Sequence, residues 1–185
     1  MFTLGYTTGK KVYEYTLSTG FDVSTASYAS DDFDVSDEDE KPQEIAFNDD
    51  GTKMFMVGDQ RDKVWEYTLS TGFDVSTAVV VDDGEFSIAS EETFAGGMAF
   101  NDDGTKMFMV GRDADAVFEY TLSTGFDVST ASYVDSFSIA DDEDQATGIA
   151  FNSAGTKMFI VGAAGDEVNV YKLSTGFDVS TAVAQ

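Results

Sequence analysis

Short stretches of the chain alternate between apolar and polar residues with the period of a β-strand. At 64–69, Trp65, Tyr67 and Leu69 fall on one face and Val64, Glu66 and Thr68 on the other. Just before it, Met54, Phe55, Met56 and Val57 are apolar on both faces, which predicts a strand covered on both sides. Ile45-Ala46-Phe47 precedes that strand and is separated from it by Asn48-Asp49-Asp50-Gly51. Asn, Asp and Gly tolerate positive φ and supply local hydrogen bonds, so this is a hairpin turn. A fourth strand is expected further on, for instance at 132–139. No segment sustains a 3.6-residue period, and the predicted class is all-β.

This pattern recurs. Tyr-Thr-Leu-Ser-Thr-Gly-Phe-Asp-Val-Ser-Thr-Ala occurs at 15–26, 67–78 and 120–131, and with one Lys at 171–182. Successive copies start 52, 53 and 51 residues apart. With Ala-Phe-Asn-x-x-Gly-Thr-Lys-Met-Phe it forms an ungapped module at 45–78, 98–131 and 149–182, and all length variation lies in the connectors 27–44, 79–97 and 132–148. Four antiparallel strands per repeat of this length describe a propeller blade. A parallel β-solenoid is the alternative, but its coils are shorter and need no such hairpin. The stretch from Phe47 to Val57 resembles the Ser-Pro-Asp-Gly-x-x-Leu-Tyr-Val blades of YVTN and lactonase-like propellers, with Asn48-Asp49 where those often carry Ser-Pro. The resemblance spans the chain and implies architecture; no active-site residue of that family is carried over by it.

The expected organisation is one propeller domain over 1–185, a part-ring with blades of about 52 residues at roughly 1–44, 45–97, 98–148 and 149–185. The first and last are incomplete, because Met1-Phe2-Thr3-Leu4-Gly5 aligns with Met54-Phe55-Met56-Val57-Gly58 and the chain stops at Gln185. It thus starts and ends in mid-blade, as a fragment of a longer propeller or as a subunit. Incomplete blades expose edges, so self-association is expected, preferably a two-fold dimer completing a ring of seven or eight blades, with a closed four-bladed monomer second.

Composition narrows the function. Without His or Cys there is no His-based triad, no His or Cys zinc site, no thiol nucleophile and no disulfide. A formal charge of −25, from 35 acids against 10 bases, argues against nucleic acid. No apolar run is long enough to span a membrane, and residues 1–11 lack the basic start and apolar stretch of a signal peptide. Eighteen of the 35 acids sit in the three connectors with a single base, Lys41. Compartment is not written in the sequence; an extracellular or virion-associated setting is an expectation from composition alone.

Copies within the chain differ most in the loops between second and third strands, at 6–11, 59–63, 112–116 and 163–167. Repeat scaffolds bind through such a variable side. The candidate ligand residues there are Tyr6, Lys10, Lys11, Asp59, Arg61, Lys63, Arg112, Asp113 and Asp166, with a glycan or peptide as ligand. The basic members suit an anionic group, or merely relieve acidic repulsion. No cofactor is required. Calcium is the metal that acidic connectors suggest, with Asp37, Asp39, Asp142 and Asp144 as candidates, although neither run has the spaced ligands of a calcium loop. The expected function is a non-enzymatic binding or assembly module. The alternative is a carboxylate- or calcium-dependent hydrolase or lyase of lactonase-like type, since Asp and Glu alone can serve such chemistry.

Overall fold

The computed structural model describes residues 1–6, 9–165 and 167–185. Among these, strands fall into four antiparallel sheets, one per repeat. Blade 1 holds β1 (Phe2–Leu4), β2 (Lys11–Leu17) and β3 (Ala26–Asp34). Blade 2 holds β4 (Pro42–Phe47), β5 (Lys53–Gly58), β6 (Lys63–Leu69) and β7 (Ala78–Ser87). Blade 3 comprises β8 (Ala95–Phe100), β9 (Lys106–Gly111), β10 (Ala116–Leu122) and β11 (Ala131–Ser138). Blade 4 comprises β12 (Ala146–Phe151), β13 (Lys157–Gly162), β14 (Val168–Leu173) and β15 (Ala182–Ala184). Each sheet pairs its strands in chain order, and the innermost strands β4, β8 and β12 lie side by side. The molecule is an all-β propeller of four blades. Blade 1 has no counterpart of β4, and the outer strand of blade 4 is three residues long.

The repeated turn is built as its residues dictate. Asn48 Oδ1 accepts from the Lys53 amide at 2.9 Å, and Asp50 Oδ1 accepts from the Thr52 amide at 3.0 Å. Gly51 closes the turn at φ 70°, and any Cβ there would lie 2.4 Å from the Phe73 ring. Blade 4 has Ala154 in place of the aspartate, yet Asn152 still accepts from the Lys157 amide at 2.8 Å.

The core is divided into three hydrophobic seams, one between each pair of successive blades. Strand alternation assigns each side chain to a seam. In blade 2, Met54, Met56, Tyr67 and Leu69 face blade 1, whereas Phe55, Val57 and Val64 face blade 3. Trp65 and Phe118, at one strand position, join consecutive seams as expected of inter-blade core. Among the described residues, no buried apolar cluster joins blade 4 back to blade 1, so the four blades form an arc with two uncovered faces.

Candidate functional site

The variable loops share a backbone frame that their sequences do not reveal. Each connector contributes one buried acid, Asp39, Glu92 or Glu143, on a turn whose amide donates to Val35, Ile88 or Ile139 four residues back. Its carboxylate reaches under the neighbouring loop and accepts backbone amides. Asp39 takes those of Lys41 (2.7 Å) and Arg61 (3.0 Å). Glu92 takes those of Phe94 (2.7 Å) and Asp113 (3.2 Å), and Glu143 those of Gln145 (2.8 Å), Ala164 (3.1 Å) and Gly165 (3.0 Å). A glycine ends the second strand beneath each clamp; a Cβ on Gly58, Gly111 or Gly162 would sit 2.2 Å from a carboxylate carbon. Burial opposes the charge on Glu143, but its three amide donors prevail and hold its carboxyl below the usual value. Because the clamps bond only to backbone, loop side chains can change without loss of loop shape.

The candidate residues are distributed on this frame as follows. Tyr6, Arg61 and Arg112 are exposed, and among the described residues neither arginine forms an ion pair. Lys10 pairs with Glu40, and Lys11 with Asp32 at 2.7 Å. Lys63 pairs with Glu85 and lies 5.2 Å from the centre of the Trp65 ring. Asp59 is buried, accepts from Gln43 Nε2 at 2.8 Å and lies 3.7 Å from Lys41 Nζ. Asp113 accepts from the Thr93 hydroxyl. Asp166 lies outside the described residues. Burial, reinforced by Asp39, Asp59 and Asp113, raises the Asp62 carboxyl above its usual value.

Of the metal candidates, Asp39 is committed to the clamp, Asp37 and Asp144 are exposed, and Asp142 accepts from the Tyr171 hydroxyl at 2.8 Å. Asp142 and Asp144 share a depression of about 240 Å³ with Asp141 and Gly165. The structure gathers a different carboxylate group, Glu14, Asp31 and Asp74, with oxygens within 4.8 Å of one another. It lies where blades 1 and 2 meet; at the corresponding places of the next two seams, Lys53 and Lys106 neutralise Glu66 and Glu119. A further carboxylate went unmarked in the sequence. Glu44, on inner strand β4, opens onto an apolar concavity of about 310 Å³ lined by Ile149, Phe159, Val161 and Val168, and burial raises its carboxyl above the usual range.

Blade topology, hairpin chemistry and radial strand order together decide the architecture. The fold is a β-propeller, and solved propellers resemble it over nearly the whole chain. A protein from Bacteroides fragilis assigned as a 6-phosphogluconolactonase superimposes with a TM-score of 0.62 at 13% identity, over 95% of this chain and 47% of that one. A second protein with that assignment, from Bacteroides uniformis, gives 0.62 at 12% identity over 100% and 52%. The periplasmic gluconolactonase of Pseudomonas aeruginosa gives 0.59 at 10% identity over 97% and 52%. The chain spans about half the length of these structures, and identities this low establish the fold alone. The chain matches no protein-family model and no curated protein.

Proposed function

We propose that the chain is a non-enzymatic binding and assembly module. Its ligand face is the variable side, and its assembly is with itself. The observation that supports this reading is the division of labour in the loops. Buried carboxylates hold the backbone of 59–62, 112–115 and 163–165 in one frame, leaving exposed Arg61 and Arg112 and the other loop side chains free for recognition. The ligand is a glycan or a peptide. The test is a glycan and peptide array probed with the intact chain and with Arg61→Ala/Arg112→Ala. Binding that the double variant loses, with an unchanged melting temperature, is the expected result. A silent array together with lactone turnover overturns the reading.

One observation favours a second reading, a lactonase-like hydrolase. Glu44 sits in an apolar concavity with its carboxyl raised, and solved neighbours of this fold carry lactonase names. Hydrolysis of gluconolactones, with and without calcium, that Glu44→Gln abolishes would establish it.

A further inference from the structure

The two seams that join blades 2, 3 and 4 are fastened by the same device, and the Phe73–Val75 loop repeats it between blades 1 and 2 without the lysine, Glu14 accepting from the Val75 amide at 3.3 Å. The repeated Phe-Asp-Val loop of one blade hooks back onto the blade before it. Phe126 of blade 3 packs against Phe55 of blade 2, with centroids 6.1 Å apart, and against Phe100 at 5.6 Å. Phe177 repeats this with Phe108 at 6.1 Å and Phe151 at 5.4 Å. The preceding blade answers with a lysine and a glutamate. Lys53 Nζ donates to the Phe126 carbonyl at 2.6 Å and Glu66 accepts from the Val128 amide at 3.1 Å; Lys106 and Glu119 do the same for Phe177 (2.6 Å) and Val179 (2.9 Å). Val75, Val128 and Val179 are all 0% exposed in consequence.

Blade 1 carries a fourth copy of the hook with nothing in front of it. Phe21 is fully exposed and Val23 is 70% exposed. Phe21 nevertheless keeps φ at 60°, the left-handed conformation that Phe73, Phe126 and Phe177 adopt at 62°, 57° and 57°. A bulky residue is held there only at a cost in strain, which ring packing offsets in the three internal seams. At the other end, blade 4 carries the receiving surface, the wall of the concavity onto which Glu44 opens, and among the described residues no hook lies on it. Val161 is 45% and Val168 60% exposed, where their counterparts in blades 2 and 3, Val57, Val110, Val64 and Val117, are 0%. Lys157 and Phe159 stand at the positions of Lys53 and Phe55.

We infer that blade 4 receives the Phe21–Val23 hook of a second copy of this chain, a fourth seam of the kind the chain already makes three times. Two such seams related by a two-fold axis close an eight-bladed ring. The inference deepens the assembly reading proposed above and rests on it. Blade 1 brings no inner strand to pack the hook ring, as Phe100 and Phe151 do for Phe126 and Phe177, and the short β15 brings no counterpart of Phe86 or Phe137. Val170 stands where Glu66 and Glu119 do, so the Val23 amide of the partner meets no carboxylate, and the contact is correspondingly looser.

Sedimentation velocity and light scattering over a concentration series test this on the 185-residue chain. A mass of twice 19.9 kDa is expected. Phe21→Asp and Val168→Asp, both at exposed positions and leaving the fold intact, should each weaken the dimer by about 100-fold or more. Mixed together they should form a heterodimer tighter than either variant alone, because one of its two seams is unaltered. Val170→Glu restores an acceptor for the Val23 amide and should tighten the dimer by about tenfold or more. A dimer indifferent to Phe21→Asp and Val168→Asp, or to Val170→Glu, overturns the seam while leaving assembly standing. A wild-type monomer throughout the series overturns both, and means that something other than a second copy covers these faces.

Discussion

Glu119 should be the most consequential surface-charge residue in blade 3, and Glu119→Ala tests how the blades are held together. Its carboxylate is 2% exposed and does two jobs, accepting from Lys106 Nζ at 2.6 Å and from the Val179 amide of blade 4 at 2.9 Å. Truncation leaves the amide without a partner in a dry seam and the lysine without its counter-charge. Breaking a buried pair costs about 3–5 kcal/mol. The Lys106 side chain is 30% exposed and regains some hydration, so about 3 kcal/mol is the better figure. For a chain of this length each kcal/mol moves Tm by roughly 2–4 °C, which gives a loss of about 9 °C by calorimetry or circular dichroism. Glu85→Ala is the control. Its partner Lys63 is also about a third exposed, but Glu85 itself is 37% exposed and holds no amide of another blade. An open pair of this kind contributes about 1 kcal/mol at most. Adding Lys106→Met to Glu119→Ala removes the unpaired charge but also the donor to the Phe177 carbonyl, so the double variant should regain little of the loss. Equal melting temperatures for Glu119→Ala and Glu85→Ala would refute the argument that this pair fastens the seam.

Two further outcomes follow from the carboxylates. Glu143 has a folded pKa below its ordinary 4.5, because three amides outweigh burial. The unfolded chain therefore binds that proton more readily, so the stability from this group is complete above about pH 4.5 and is lost as pH falls through the depressed value. Urea melts at pH 6 and pH 3 should show a smaller pH difference for Glu143→Gln than for wild type; equal differences would dismiss the clamp as an electrostatic element. Salt should raise both Tm and the dimer fraction, since 18 of the 35 acids crowd three connectors within a Debye length of roughly 8 Å at physiological ionic strength. A melting temperature flat from 10 mM to 1 M sodium chloride would remove that expectation.

Strand number, order and facing were legible in the sequence because a two-residue period and a repeat of about 52 residues are local signals. Even the seam assignment of Tyr67 against Glu66 follows from alternation. The hook was visible as the repeated Ser-Thr-Gly-Phe-Asp-Val-Ser-Thr, but not its destination. Nothing local says that Val128 bonds to a glutamate 62 residues earlier in the preceding blade. The clamp was hidden for a different reason. Asp39 and Glu143 lie inside acidic runs, where solvated carboxylates and a buried one look alike. Spacing would have narrowed the field. Asp39, Glu92 and Glu143 each stand 19 residues before the glycine that ends a second strand, and four residues after Val35, Ile88 or Ile139. The position just before is acidic in all three as well (Glu38, Glu91 and Asp142), so the register narrows the choice to two neighbouring acids.

The two devices account for why so repetitive a chain can still have distinct ends and a distinct face. Clamps use backbone only, so they tolerate any loop side chain and confine sequence variation to one side of the disc. Hooks use the side chains of two successive blades, so they tolerate almost no variation, and the module is nearly identical wherever a seam is internal. Blade 4 is where the pattern breaks: Val170 replaces the seam glutamate and Asn169 the seam aromatic, leaving Asn169 Nδ2 buried without a partner. Yet Phe159, Val161 and Val168 remain apolar there, and Phe21 remains an exposed phenylalanine in a left-handed conformation. A contact made on this face is therefore held by apolar surface, without the buried ion pair whose desolvation opposes association.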